Sequence, residues 1–223
     1  MRKIAGLLCV FFCWQSFVFA EVKIQVLDVE GNPVPNAVIS LTNIKELKPE
    51  LNVLSSESET EQVAVMDQVD SQFSPQVLIV KSGQSVVFPN SDQVRHHVYS
   101  FSKPNDFEIR LYSGNQAEPL KFENSGIVVL GCNIHDQMVG YLYVQNDEVA
   151  GISDQNGYVV FDEELSASVQ DQTVNVWHSQ LSSNKTERVT QVLSEKNKDS
   201  VWILRLDLIP EVKKVSRKFK PRY

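Results

Sequence analysis

The chain has 223 residues, with 28 acidic side chains against 21 basic ones and a formal net charge of −7 at neutral pH. A negative field of this kind repels the phosphate backbone, which argues against DNA or RNA as a partner. Beyond residue 20 no apolar run is long enough to span a membrane, so we expect no transmembrane segment in the mature chain.

Residues 1–20 have the pattern of a cleavable secretory signal peptide. Arg2 and Lys3 form a positive start, an almost wholly apolar run follows to Phe19, and Ala20 is a small residue at the cleavage position. The run is too short to be a membrane span. We therefore expect an exported, periplasmic protein whose mature chain begins near residue 21.

Cleavage of the signal leaves Cys132 as the single cysteine, because Cys9 and Cys13 leave with the signal. No disulfide within the mature chain is then possible, and a lone thiol in an oxidising compartment needs a reason. Burial as an inert core residue is one common reason. The residues that follow Cys132 favour a chemical role instead.

The mature chain begins with two strands and a polar connection. Residues 22–27 alternate between apolar and polar side chains, and residues 37–41 predict a second strand. Residues 43–62 are acidic and rich in serine, which indicates an exposed connection. We assign residues 21–61 to an N-terminal β segment with an acidic linker.

Short apolar runs separated by turn residues then recur along the chain, and no segment shows a sustained helical period. The first group predicts a β-sandwich over residues 62–145, with runs at 77–80, 85–88, 97–101, 107–111, 127–130 and 139–144. The second group predicts a C-terminal β segment over residues 146–209, with runs at 148–152, 158–161, 173–177, 190–193 and 201–206. The expected fold class is all-β.

Residues 210–223 form a basic tail, with six basic side chains against one acidic side chain. Such a tail is either a solvated end of the chain or a weak contact to an anionic membrane or an acidic redox partner.

The loop after residue 130 carries the chemistry of the chain. Cys132, His135 and Met138 are spaced C-x2-H-x2-M between two strand-like runs. Soft sulfur ligands with imidazole select copper, and one Cys, two His and a weak axial Met describe a blue-copper electron-transfer site. His96 and His97, in a strand-like run about 36 residues before Cys132, are the candidates for the second histidine.

Residues 62–145 resemble a cupredoxin, close to the plastocyanin and amicyanin branch of that family. The run from Gly83 to Asn90 matches the strand that leads into the family's site, and the family's first histidine ligand follows Phe88 by eight positions, at His96. The C-x2-H-x2-M spacing is that of amicyanin. Proteins of this wider architecture are often labelled methylamine-utilisation proteins, a label that establishes no substrate.

This resemblance implies a Greek-key β-sandwich that holds one type 1 copper ion. His96, Cys132 and His135 would be its trigonal ligands, and Met138 its weak axial ligand. Ile134 stands where the short loop of the family often has a proline. We therefore expect the backbone N–H of Ile134 to donate to the Cys132 sulfur, which would tune the reduction potential.

The other polar residues near the motif receive lesser roles. Neighbours on a strand point to opposite faces, so His96 and His97 cannot both enter the site, and the spacing after Phe88 favours His96. His178 is predicted to be structural or to lie at the surface. Asp136 is predicted to be a solvated loop carboxylate.

The two ends of the chain are similar to the two halves of a transthyretin-like, carboxypeptidase-regulatory-type β-domain. The likeness is carried by Asp28-x-x-Gly31-x-Pro33 at one end and by Asp154-x-Asn156-Gly157 at the other. Segments 22–44 and 147–208 are therefore expected to pair as one split β-sandwich, with the cupredoxin inserted between them. Two separate small β units are the alternative.

These features predict an exported copper protein that carries single electrons between redox partners such as a periplasmic cytochrome or dehydrogenase. A full ligand set leaves no open position for a substrate, so no enzymatic activity is expected. The partner is expected to approach the loop 132–138, beside an apolar docking patch formed by Val94, Ile134 and Val139, through a small interface.

Two other classes of function stay open from the sequence. Cys132, His135 and another histidine are also the ligands of a zinc hydrolase, although the thioether of Met138 argues against zinc. The sandwich is alternatively a metal-free interaction module, or a copper-storage or copper-chaperone protein.

Overall fold

The computed structural model describes residues 21–41, 62–114, 118–161 and 173–210. The predicted signal peptide (1–20), almost all of the acidic linker (42–61) and the basic tail from residue 211 lie outside the described residues. The described part contains eighteen β-strands and no helix, which confirms the all-β prediction. In particular, no membrane-spanning helix is found among the described residues.

The strands are short and follow one another closely along the chain. In chain order they are β1 (Val22–Asp28), β2 (Val38–Leu41), β3 (Ala64–Val65), β4 (Asp67–Val69), β5 (Gln72–Ser74), β6 (Val77–Lys81), β7 (Gln84–Val87), β8 (His96–Ser100), β9 (Phe107–Tyr112), β10 (Leu120–Phe122), β11 (Gly126–Gly131), β12 (Val139–Gln145), β13 (Val149–Ile152), β14 (Tyr158–Phe161), β15 (Thr173–Trp177), β16 (Arg188–Val192), β17 (Glu195–Lys196) and β18 (Trp202–Leu206). They assemble into four sheets and one separate hairpin.

Two four-stranded sheets form a terminal sandwich. The outer terminal sheet has the order β14-β1-β18-β17, and the inner terminal sheet has the order β13-β2-β15-β16. β1 pairs antiparallel with β14 and parallel with β18, while β2 lies between β13 and β15. Side chains of both sheets share one core, which includes Ile24, Ile39, Val176 and Leu204. Both sheets therefore combine strands from the two ends of the described chain, whereas the domain boundaries near residues 61 and 145 stay a prediction.

The central segment forms a second sandwich. Its five-stranded sheet has the order β6-β12-β11-β8-β9, its three-stranded sheet has the order β10-β7-β3, and β4 and β5 form the separate hairpin. The core between them contains Phe88, Val98, Leu130, Cys132 and Met138. The cysteine and methionine of the motif thus lie at one end of this hydrophobic core.

The two sandwiches pack against each other, so that the four sheets lie in layers. The inner terminal sheet contacts the five-stranded sheet through a cluster that we call the inter-sandwich cluster, formed by Val38, Val77, Ile127, Tyr141, Tyr143 and Trp177. Both faces of these two sheets are therefore covered. This explains why all four residues of β2 are buried and why five consecutive residues of β12 are buried, instead of every second residue.

Candidate metal centre

Three ligand-type atoms from separate parts of the central sandwich meet at one point. His96 Nδ1 lies 3.8 Å from Cys132 Sγ, His135 Nδ1 lies 3.9 Å from the same sulfur, and the two nitrogens are 3.2 Å apart. Donors bound to one ion at about 2.0–2.3 Å must lie roughly 3–4 Å from one another. The spacing of these three atoms therefore suits a single metal ion.

Two neighbouring strands and one loop place these side chains. His96 is the first residue of β8, and a register irregularity in the pairing with β9 falls between His96 and Val98. Cys132 follows the last residue of β11, and Met138 precedes the first residue of β12. Because Gly131 and Val139 pair across these two strands, both ends of the loop are fixed by the sheet.

Burial divides the four residues of the predicted ligand set into a buried group and one that reaches the surface. His96, Cys132 and Met138 are 0%, 3% and 1% exposed, and Met138 belongs to the same core cluster as Cys132. The backbone N–H of Met138 donates to the carbonyl of His135 at 2.8 Å, which closes the loop as a turn. His135 itself is half-buried. Of these four residues, His135 is therefore the one whose side chain reaches solvent.

A carboxylate that the sequence interpretation overlooked supports the buried histidine. Asp92 Oδ2 lies 2.6 Å from His96 Nε2, and the Asp92 carboxylate also accepts hydrogen bonds from the backbone N–H groups of Asp70 at 2.6 Å and Ser71 at 2.9 Å. Partial burial pushes the pKa of Asp92 upward, but the hydrogen bonds from Ser71, His96 and Asp70 outweigh it and hold the pKa below its usual value. An ionised Asp92 fixes the Nε2–H tautomer and leaves Nδ1 free to bind a metal.

Asn90 braces the loop that leads to His96. Its side-chain amide donates to the carbonyl of Val94 at 2.9 Å and to that of Tyr112 at 3.0 Å, and its Oδ1 accepts from the backbone N–H of Asp92 at 3.0 Å. Asn90 is 5% exposed, so these bonds are protected from water. The loop is therefore built to hold Asp92, and through it His96, in one position.

The other polar residues near the motif lie apart from the three donors. His97 Nε2 pairs with Glu108 Oε1 at 3.0 Å on the outer face of β8, which is consistent with the choice of His96 over His97. His178 is 8% exposed and accepts a hydrogen bond from the backbone N–H of Gln180. Asp136 is exposed. Among the described residues, the group of metal-binding side chains is His96, Cys132 and His135.

The expected hydrogen bond to the cysteine sulfur is wrong in this structure. The hydrogen-bonding partners of Cys132 Sγ among the described residues are the two imidazole nitrogens, and the backbone N–H of Ile134 does not reach the sulfur. The turn closed between Met138 and His135 begins one residue after Ile134.

The surface next to His135 is partly apolar. Val94 is 48% exposed and Ile134 is 52% exposed, while Val139 is half-buried. Such exposure of branched aliphatic side chains beside a half-buried imidazole is what a small contact patch requires.

Several solved cupredoxin structures are similar to part of this chain. The Cu-containing nitrite reductase (NirK) from Thermus scotoductus SA-01 is 24% identical over 38% of this chain and 22% of its own length, with a TM-score of 0.36. A mutant of amicyanin in its reduced Cu(I) form at pH 4 is 23% identical over 38% of this chain and 84% of its own length, with a TM-score of 0.35. An oxidised amicyanin mutant is 23% identical over 37% of this chain and 82% of its own length, with a TM-score of 0.35. No protein-family profile and no curated protein sequence matches the chain.

The cluster of His96, Cys132 and His135, in the same core as Met138, agrees with the cupredoxin resemblance expected from the sequence. This chain spans less than a quarter of the length of the nitrite reductase. The chemical interpretation therefore rests on the donor set. A thiolate, two imidazoles and a nearby thioether suit copper, and a copper electron-transfer protein of cupredoxin-like fold is the class that they support.

Proposed function

We propose that this protein is an exported type 1 copper protein that carries single electrons between periplasmic redox partners. His96 Nδ1, His135 Nδ1 and Cys132 Sγ would hold one copper ion in a plane, with the Met138 sulfur as the weak axial ligand. The observation that carries the proposal is the spacing of 3.2, 3.8 and 3.9 Å among the three donor atoms in a buried frame. Copper in such a ligand set takes up and releases one electron at a time.

Other residues of the chain would hold the ligand residues in place and exclude water from the copper ion. The hydrogen bond to Asp92 holds the His96 ring in one orientation, and the pairing of Gly131 with Val139 holds the ends of the ligand loop. A rigid frame of this kind changes little when the ion changes its charge, which favours rapid electron transfer. The hydrophobic core around Cys132 and Met138 excludes water from the sulfur ligands.

The redox partner is proposed to dock over the His135 ring. Val94, Ile134 and Val139 supply the apolar patch, and the patch is small, as is usual for transient redox encounters. A periplasmic cytochrome or a dehydrogenase has the required chemistry. The basic tail adds a possible weak contact to an acidic partner or an anionic membrane. A link to methylamine oxidation stays a prediction that rests on the resemblance to amicyanin alone.

Adding Cu(II) to the purified full chain tests the proposal. We expect one copper per chain, an intense blue or green absorption from the thiolate, and a narrow hyperfine pattern in the paramagnetic resonance spectrum. Cys132→Ser should lose the colour, whereas His97→Ala, which changes a neighbouring histidine outside the cluster, should keep it. A colourless, zinc-loaded protein with hydrolytic activity would favour the hydrolase. Failure to retain copper at sub-micromolar concentration would favour a metal-free module.

A further inference from the structure

A groove lies next to the candidate metal centre and shares one residue, Val139, with the proposed docking patch. It has a volume of about 780 Å³ and lies between the five-stranded sheet and the loop that follows β15. One wall carries Tyr99 and Phe101, the floor is mainly aliphatic and includes Val129, and the opposite wall carries Lys185. Small-molecule sites commonly have volumes of about 300–1,000 Å³ and an apolar lining with a few polar groups. The groove matches this description in size and in chemistry.

The aromatic wall of the groove presents an open ring face. The rings of Tyr99 and Phe101 are 5.0 Å apart and tilted by 47°, and Phe101 is 83% exposed. Tyr99 is fixed against the sheet, because its ring atoms lie 2.8–3.2 Å from the position that a Cβ of Gly131 would occupy. A side chain at position 131 would require the Tyr99 ring to shift. The result is an exposed aromatic surface on which another planar ring can stack.

The charged side chains that line the groove are both positive. Lys103 and Lys185 line it, and no carboxylate is found among the described residues that do so. Lys103 is paired with Asp106 at 2.6 Å, so its charge is largely compensated. Lys185 Nζ donates to the hydroxyl of Tyr141 at 3.2 Å, and no ion pair with a carboxylate is found for it among the described residues. The groove is therefore locally positive in a chain whose overall charge is negative.

The loop that carries Lys185 is held in place. Lys185 has a positive φ of 64°, which is uncommon for a residue with a side chain. Its carbonyl accepts a hydrogen bond from Trp177 Nε1 at 2.9 Å, and Trp177 is fully buried in the inter-sandwich cluster. The backbone at Lys185 is thus held by the core of the protein, and the hydrogen bond to Tyr141 places its ammonium group at the groove.

We propose that this groove binds a small planar aromatic carboxylate. Its ring would stack on Phe101 and Tyr99 over the aliphatic floor, and its carboxylate would face Lys185. The hydroxyl of Tyr99 has no hydrogen-bond partner among the described residues and is available to the ligand. The volume and the mainly apolar lining with a few polar groups suit a small molecule. The site does not depend on whether copper binds, although its wall touches Gly131, the residue before Cys132.

Calorimetric titration with naphthalene-2-carboxylate tests the proposal, on the full chain with and without copper. We expect saturable binding with one molecule per chain. Naphthalene-2-methanol, which has the ring but no charge, should bind about threefold more weakly, since one exposed charge contact is worth only a few-fold. Phe101→Ala should weaken binding of both compounds about fivefold, through loss of the stacking surface.

Lys185→Gln separates the charge contact from the ring contact. This variant should weaken binding of the carboxylate about threefold and leave binding of the alcohol unchanged. Val160→Ala, which shortens a 50% exposed side chain on β14 far from the groove, is the matched control and should bind both compounds as the original chain does. Far-ultraviolet circular dichroism shows whether each variant is folded.

The outcomes separate this inference from the copper proposal. A blue protein that does not bind naphthalene-2-carboxylate, or that binds it equally well after Phe101→Ala, overturns the groove proposal and leaves the copper proposal intact. A chain that binds the carboxylate through Phe101 and Lys185 but never takes up copper supports the groove and overturns the proposed electron carrier.

Discussion

At the scale of single residues, Asp92 directly contacts a histidine of the candidate centre. It accepts three hydrogen bonds, from His96 Nε2 and from the backbone N–H groups of Asp70 and Ser71. These bonds hold the pKa of its carboxyl below the usual value although partial burial opposes them. At neutral pH the group is therefore a full negative charge, in contact with the far side of a ligand ring.

Asp92→Asn should raise the reduction potential of the copper protein. A nearby negative charge stabilises the more positive oxidised ion, so its removal favours the reduced ion. One charge several ångströms away in a medium of effective dielectric constant about 20 corresponds to roughly 50–100 mV. Protein-film voltammetry measures this shift directly.

Asp67→Asn is the matched control for this change. Asp67 also accepts hydrogen bonds from the loop, through Ser91, but it does not touch a histidine. The control should shift the potential much less. Equal shifts in the potentials of the two variants would show that the contact between Asp92 and His96 has no effect beyond that of a nearby negative charge. No shift in either variant would contradict the influence of Asp92 on His96.

The donor-type residues that the structure brings together were predictable from the sequence, and the residues that hold them in place were not. Cys132, His135 and Met138 are close in the chain, so their spacing alone indicates the chemistry. The contact between Asp92 and His96 depends on the tip of a hairpin some twenty residues earlier, which no local pattern predicts.

At the scale of elements, the β4–β5 hairpin is the support of the metal centre. Its tip residues Asp70 and Ser71 have φ angles of 52° and 58°, the conformation of a two-residue hairpin turn whose N–H groups can point in one direction. Those N–H groups bind Asp92. On β5, Phe73 packs against Gly140 at the start of β12, two residues after Met138. One hairpin thus contacts both Asp92, which holds His96, and the strand that follows Met138.

Gly140→Ala should destabilise the protein by about 1–3 kcal/mol, the usual cost of overpacking a core. A Cβ at this position would lie 2.7 Å from Phe73 Cβ and 2.9 Å from its Cγ, and neither atom can move without the hairpin. Urea unfolding measures the change. In the double variant Phe73→Gly, Gly140→Ala the side chain that the new Cβ would meet is absent, so the combined cost should be smaller than the sum of the two single costs.

An additive double variant would contradict this account, because it would mean that the ring of Phe73 and the backbone at Gly140 do not interact. The copper spectrum gives a second measurement. If the hairpin supports the centre, Gly140→Ala should change the resonance parameters of the copper, whereas a substitution on the exposed face of β14 should not.

The long strands were predictable, and the short strands were not. Runs such as 22–27 and 139–144 show either alternation or continuous apolar character over enough residues to identify a strand, and they correspond to β1 and β12. The strands β3, β4, β5, β10 and β17 have two or three residues each. A period of two residues cannot be recognised over such a length, so the supporting hairpin was missed with them.

At the scale of the whole molecule, the two sandwiches are joined by a specific set of contacts. Within the inter-sandwich cluster the rings of Tyr141 and Trp177 are 5.1 Å apart, and the hydroxyl of Tyr143 donates to Ser40 Oγ at 3.0 Å. Arg188 lies 4.4 Å over the Tyr143 ring and pairs with Glu148 at 3.1 Å. An all-β chain with two sandwiches was expected, but the stacking of one on the other was not, because it joins residues that are distant in the sequence.

The buried tyrosine at this interface should make the free energy of unfolding fall at alkaline pH. Burial raises the pKa of Tyr143 to about 12, and the hydrogen bond to Ser40 and the charge of Arg188 oppose this only in part. The folded protein therefore keeps the phenol neutral in a range where the unfolded chain, with an ordinary pKa of about 10, ionises. The stability that Tyr143 contributes is complete below pH 10 and is lost progressively as the pH rises from about 10 to about 12.

Tyr143→Phe should remove this dependence. At pH 8 the variant should be less stable than the original chain by about 1 kcal/mol, because the hydrogen bond to Ser40 is lost. At pH 11, one unit above the ordinary pKa, the original chain should have lost about 1.4 kcal/mol that the variant does not lose, so the two free energies of unfolding should converge or cross. Tyr112, whose pKa burial also raises to about 12, is present in both chains and cancels in the difference. Urea unfolding of both chains at the two pH values measures the effect. A difference in the free energy of unfolding that is the same at both pH values would mean that Tyr143 ionises as readily in the folded protein as in the unfolded chain.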